Sequence, residues 1–289
     1  MGESRTYNEG IKALSNRDFD RLSQFISEHC GIKMPPAKKT LLESRLQKRL
    51  RTLRTQSFRE YCDYLFEDPD GICEIVHMID AVTTNKTDFF REPAHYSFLS
   101  ETVLSEFDHH QRAMGAQRFA VWSAGCSSGE EPYTLAIVLS EFAERNPGFQ
   151  FTIMATDIST KVLDKARNGI YDESQIAMIP YALKQKYFTR SKDRDKKLVR
   201  VAPALRSSVR FQRLNLMDQL FPAPGASLDA VFCRNVMIYF ERDTQSKLLG
   251  RFCRCLKRGG YLFLGHSEMA HGFDLPLIRI ASAIYRKMP

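Results

Sequence analysis

Two adjacent acids, Glu130 and Glu131, stand in "VWSAGCSSGEEPYTLA" (residues 121–136), where an α/β protein commonly seats a phosphate. An apolar run, Phe119 to Trp122, gives way to small residues, Ser123 to Gly129, and then to an apolar helical pattern. That order reads as strand, tight loop and helix start. The G-x-G-x-x-G spacing is missing, and two carboxylates at a helix N-terminus repel phosphate. The next apolar run, "FTIMATD", ends at Asp157, and an acid at the end of a second strand suits the two hydroxyls of a ribose. A ligand with a ribose, no phosphate and a cationic amino-acid tail satisfies both demands. S-adenosylmethionine (SAM) has that chemistry.

Other reactive groups point nowhere else. "GHSEMAHG" holds His266, Ser267 and His271 but lacks the G-x-S-x-G elbow of a serine hydrolase. His109 and His110 sit in a polar helical stretch and read as solvated. The seven cysteines (30, 62, 73, 126, 233, 253 and 255) form no C-x-x-C pair, so no metal site is expected and reduced thiols fit a cytoplasmic protein. The first ten residues, "MGESRTYNEG", carry no apolar core, so no secretory signal is expected there. No run approaches the roughly 20 apolar residues that cross a bilayer.

The elements that must position the acids follow from periodicity. Residues 1–84 read as an all-α domain. "SNRDFDRLSQFISEHCG" opens on a cap, Ser15 or Asn16, places Phe19, Leu22, Phe25 and Ile26 at helical spacing, and stops at Gly31. Leu42, Leu46, Leu50 and Leu53 mark one face of the next helix. From residue 85 to 289 short apolar strands ("RFAVWSA", "FQFTIMATD", "LDAVFCRN", "GYLFLGH") alternate with helical stretches. This predicts a Rossmann-like α/β domain with a parallel sheet. "LIRIASAIYRKM" reads as a closing hairpin. The runs "KYFTR", "LVRV" and "VRFQ" look too short and too charged for the main sheet, so residues of about 184–213 are expected to form an inserted antiparallel β-subdomain.

Several segments together resemble the chemotaxis receptor methyltransferases, the CheR family: "VTTNKTDFFRE", "WSAGCSSGEEPYTLA", "ATDIS", "ARNGIYD", "FQRLNLMD", "LDAVFCRNVMIYF" and "GHSE". The resemblance runs in the same order from about Phe19 to the end. It implies a class I SAM-dependent methyltransferase domain behind a helical N-terminal domain, and methyl transfer to glutamate side chains of chemoreceptors with S-adenosylhomocysteine as product. By motif it implies that Asn85, Thr87 and Arg91 touch cofactor and acceptor. Glu131 rather than Glu130 would bind the methionine end, and Asp157 the ribose. Asn215 and Leu216 would frame the adenine, while Arg234 and Asn235 close the pocket. A glutamate carboxylate, with a pKa near 4.3, is already ionised at neutral pH, so no general base is needed. Arg91 and Tyr239 are expected to orient it, Arg because its planar fork matches a carboxylate.

The formal charge of +8 is clustered in residues 38–54 and 190–200. Lys38, Lys39, Arg45, Lys48, Arg49, Arg51 and Arg54 are expected to dock the acidic helices of a receptor's cytoplasmic domain. Relatives with a tether suggest that the insertion could hold a receptor C-terminal peptide, with "LVRV" or "VRFQ" as the edge and Arg190, Arg194, Lys196 and Lys197 as its charges. "SKDRDKK" lacks the glycine expected there, which favours a plain structural insertion. Two alternatives carry less weight. A nucleic-acid methyltransferase fits the basic charge, but no Pro-Pro follows Asn235 and no aromatic interleaves the basic helix. A SAM-binding module without catalysis is disfavoured because every residue expected in the pocket is present. No nucleic-acid partner and no membrane insertion are expected.

Overall fold

The computed structural model describes residues 12–114, 118–219, 221 and 227–288. The N-terminal decapeptide and the side chains of His110 and Arg194 lie outside what is described. The chain divides into two compact units, one running to Thr84 and one beginning at Asn85. Among the described residues no helix is long and apolar enough to cross a membrane.

The described part of the first unit is helical: α1 (Asn16–Cys30), α2 (Lys39–Leu53), α3 (Phe58–Glu67) and α4 (Gly71–Val82). The Ser15 side chain accepts from the Asp18 N–H at 3.1 Å and starts α1. Gly31 ends it at φ 71°, a left-handed conformation that costs glycine little. Phe19, Leu22 and Ile26 of α1 are buried with Leu42, Leu46 and Leu50 of α2 and Met78 of α4. An ion pair is built into this core. The Arg49 Nε and Nη2 donate to both oxygens of Glu74 at 2.9 and 2.6 Å, and the Tyr61 hydroxyl donates to the same carboxylate at 3.0 Å.

That arrangement already engages four of the seven basic side chains expected to dock a receptor. Arg49 is engaged with a carboxylate only 3% exposed. Arg45 donates to the Val82 carbonyl and to Thr84, Lys38 to the Lys33 carbonyl and Lys39 to Asn16. Lys48, Arg51 and Arg54 remain as the exposed charges of the set. Arg49→Glu would leave two acids facing each other in the helical core. We expect it to lower stability by about 3–5 kcal/mol, the cost of breaking a buried pair, read as a lower midpoint in chemical denaturation. Arg51→Glu should leave that midpoint within about 0.5 kcal/mol of the parent.

The second unit contains strands β1 (Arg118–Ala124), β2 (Gln150–Asp157), β3 (Ile170–Asp172), β4 (Phe188–Arg190) and β5 (Leu198–Val201). These are followed by β6 (Val209–Arg213), β7 (Leu228–Cys233), β8 (Leu256–Leu264), β9 (Leu277–Ala281) and β10 (Ile284–Lys287). Seven of them form one sheet in the order β6-β2-β1-β7-β8-β10-β9. Pairing is parallel from β6 to β8, and β10 runs antiparallel to both β8 and β9. Successive residues feed opposite faces: Phe232 and Phe263 join the apolar cluster on one side, Val231 and Leu262 that on the other. Strands buried on both faces read as nearly unbroken apolar runs.

"VRFQ" belongs to this main sheet, contrary to the boundary expected from sequence. It lies within β6, in parallel register with β2 from Ile153↔Val209 to Asp157↔Arg213. As a terminal strand with one ladder neighbour it can carry exposed Arg210, Gln212 and Arg213, as edge strands often do. The small antiparallel sheet has the order β3-β5-β4, so it starts near residue 170 and ends near 201. "LVRV" is its central strand, paired on both sides, and cannot offer the edge proposed for a peptide.

Candidate functional site

Strand order changes direction between β1 and β7, and a ligand crevice forms where neighbouring connections diverge, beyond the carboxyl ends of the strands. The loop after β1 is shaped for that place. Gly125 has φ 81°, and a Cβ there would lie 2.5 Å from Val236 Cγ2. The Gly125 and Cys126 N–H groups both donate to the Thr156 carbonyl, at 2.8 and 2.9 Å. Gly129 has φ 99°, and a Cβ there would meet Ala166 and the Tyr171 hydroxyl at 2.8 Å. Tyr171, on β3 of the small sheet, donates to the Ser128 carbonyl at 2.7 Å. The small sheet therefore braces the loop.

Asp157 terminates β2 and is 8% exposed. Its two oxygens accept separately, from Ser127 N–H at 2.8 Å and Ser159 N–H at 2.9 Å. The Leu214 N–H donates to the Asp157 carbonyl at 2.9 Å, which sets Asn215 and Leu216 directly after that contact. Asn215 Oδ1 accepts from Met217 N–H, and Leu216 packs in the apolar cluster with Trp122.

The two neighbouring acids have opposite fates. Glu130 is 1% exposed and accepts from Ser128 Oγ at 2.7 Å and Gln175 at 3.2 Å. Lys165 stands 3.8 Å away. Glu131 instead accepts from Ser123 Oγ at 2.7 Å and faces Arg234 Nη1 at 3.3 Å. Burial pushes both carboxyls above their ordinary range; Ser128 opposes this most at Glu130, Arg234 at Glu131.

Arg234 is the hub. Its side chain is 2% exposed. Its Nη1 donates to the Tyr96 hydroxyl at 2.9 Å, Nε and Nη2 meet Glu92 Oε2 at 3.3 and 3.2 Å, and Nη2 donates to the Arg91 carbonyl. Burial pushes Glu92 up, but Arg234 and the His266 N–H outweigh it and hold the carboxyl below its ordinary range. The turn that supplies Glu92 is strained: Phe90 and Glu92 have φ 53° and 56°. Ser127 and Asn235, also at the site, have φ 49° and 59°. Non-glycine residues persist there only where their surroundings dictate it.

The remaining expected residues have contacts of their own. The Asn85 carbonyl accepts from Ser127 Oγ at 2.9 Å; Thr87 and Arg91 are half-buried, with Arg91 Nη1 donating to the Lys86 carbonyl at 3.1 Å. The Asn235 N–H donates to Glu268 Oε2 at 2.8 Å. Tyr239 lies in the single turn Met237–Tyr239 and makes no hydrogen bond to Arg91 among the described residues. Arg234, expected to close the pocket, has its donors committed to Tyr96, Glu92 and the Arg91 carbonyl. Sequence reasoning missed Glu92, Tyr96, Ser123 and Glu268. The last of these sits in "GHSE" and accepts three backbone N–H groups, of Gly265, Asn235 and Ile238. Acid after Arg91 was visible, but its burial against a residue 142 positions away was not.

The site offers a cationic nucleoside an acid at the end of β2 and a second acid in the first turn of the helix after β1, around a loop whose Gly125 and Cys126 N–H groups are already taken by the Thr156 carbonyl. Residues 85–282 match the family described as "CheR methyltransferase, SAM binding domain", and residues 17–83 match "CheR methyltransferase, all-alpha domain". The chain is 40% identical to the chemotaxis protein methyltransferase of Borreliella burgdorferi over 275 residues, 95% of each chain. It is 41% identical to that of Salmonella typhimurium over 256 residues, 89% of this chain and 85% of the other. A Pseudomonas aeruginosa relative, chemotaxis protein methyltransferase 2, shares 38% over 255 residues, 88% and 87% of the two chains. The loop, the acid at the end of β2 and these matches lead to one conclusion: the chain belongs to the CheR family of SAM-dependent methyltransferases.

Proposed function

We propose that the protein transfers the methyl group of SAM to glutamate side chains of chemoreceptors, producing methyl esters and S-adenosylhomocysteine. The observation that carries this reading is the pair of acids, Asp157 and Glu131, in a crevice otherwise built for nucleotides. Asp157 would hold the ribose hydroxyls and Glu131 the cationic methionine end, with Asn215 and Leu216 flanking the base. SAM supplies a methyl group activated by its sulfonium. The chain's own work is alignment and exclusion of water, because an ionised carboxylate is already a competent nucleophile. Arg91 uses one of its five N–H donors on the Lys86 carbonyl, which steadies a guanidinium suited to orient the acceptor. Tyr239 is the second positioning candidate. The name of the Salmonella relative, a chemotaxis protein methyltransferase, supports the substrate class.

Labelled SAM offered with receptor-bearing membranes and, separately, with oligonucleotides tests the reading. Base-labile label on membrane protein is the expected result; label on nucleic acid, or on neither, overturns it.

Lys48, Arg51 and Arg54 are proposed to steer the acidic receptor helices. Reversing all three to Glu should raise the receptor KM by roughly tenfold at low salt and by less at high salt, since exposed charges are screened beyond about 10 Å. SAM affinity should not move. Unchanged receptor kinetics at low salt would remove the basic helix from the docking surface.

A further inference from the structure

Three side chains able to ligate a metal converge beside Arg234. Glu92 Oε2 lies 3.4 Å from His95 Nδ1 and 3.9 Å from His266 Nε2, and one ligand atom from each residue falls within 4.8 Å of the others. The two rings stand 5.2 Å apart at 86°, so they approach the carboxylate from different directions. His95 is 1% exposed, yet neither of its ring nitrogens has a hydrogen-bond partner of normal geometry. A buried polar atom left in that state is destabilising.

We propose that Glu92, His95 and His266 bind a zinc-type transition-metal dication, and that its binding switches methyl transfer off. Two imidazoles and a carboxylate suit zinc and its neighbours over magnesium or calcium, which prefer all-oxygen shells. Three protein ligands leave a fourth position for water. Switching follows from the shared oxygen. Glu92 Oε2 is also the acceptor for Arg234 Nε and Nη2, so a dication there competes with the guanidinium and repels it. Arg234 in turn faces Glu131. Metal capture therefore disturbs the acid assigned to the methionine end of SAM. This switching half rests on the methyltransferase reading; the binding half does not.

His266→Ala is the clean probe, because that side chain is 52% exposed and its backbone N–H, which donates to Glu92 Oε1, survives the change. Co²⁺ added to the full chain should give the visible absorption of a nitrogen- and oxygen-ligated ion, and calorimetry should show one Zn²⁺ bound. His266→Ala should weaken both by at least ~10-fold, the least expected for a lost ligand when outer-shell losses alone cost that much. Zn²⁺ should inhibit methyl transfer by the parent, a chelator should restore it, and His266→Ala should stay active in Zn²⁺. Equal metal affinity in parent and variant overturns the site, and binding without inhibition overturns the switch. A parent that binds Co²⁺ but methylates nothing points to failure of the functional reading instead.

Discussion

Asp157→Ala should weaken SAM binding by about 3 kcal/mol, roughly a hundredfold, because hydrogen bonds to a charged group are each worth about 1.5–3 kcal/mol. The loss has two parts. The variant gives up the carboxylate proposed to hold the ribose, and it strands the Ser127 and Ser159 N–H groups that the carboxylate now holds in place. Asp157→Asn separates them: one carbonyl oxygen can keep a backbone contact, so its affinity should fall between parent and Ala. Calorimetry on the folded variants measures this. Parent-like affinity in Asp157→Ala would remove the ribose assignment.

Arg234→Met should have the largest effect on stability. Removing a cation whose side chain is 2% exposed leaves Glu92 and Glu131 close together without it, and losing one partner of a buried pair costs about 3–5 kcal/mol. For a unit of this size that corresponds to a fall in Tm of about 6–20 °C. Arg234→Lys keeps the charge but cannot reach Tyr96, Glu92, Glu131 and the Arg91 carbonyl together, so it should recover only part of the stability. Methyl transfer should fall in both, more than thermal loss explains, because Arg234 sets the Arg91–Glu92 turn. Arg234→Met with the parent's Tm and kcat would show that this network is not the support of the site.

The division between local and non-local information runs through particular residues. Ser15 and Gly31 bound α1 as their types require, because caps act within a few residues. The small-residue run between β1 and Glu130 shows that the chain turns tightly there. Asp157 was legible for the same reason, standing where a period-two apolar run stops.

Edge and partner were not legible. Residues 209–213 looked too charged for the sheet, and only the β2 register shows that an edge strand with one neighbour can keep its arginines in solvent. Arg49 looked like its exposed neighbours on α2 until Glu74, 25 positions on, took both its donors. Glu130 and Glu131 are chemically identical in the sequence. Their roles differ because one helical residue turns the side chain by about 100°, sending Glu130 under the loop to Ser128 and Gln175 and Glu131 towards Ser123 and Arg234. The amino-acid order by itself determined the elements, the tight turn and the acids proposed to select a cationic nucleoside. Tertiary structure alone decided which charges are buried and paired, because burial depends on contacts such as that of Glu92 with Arg234, 142 positions apart, which leave no local pattern.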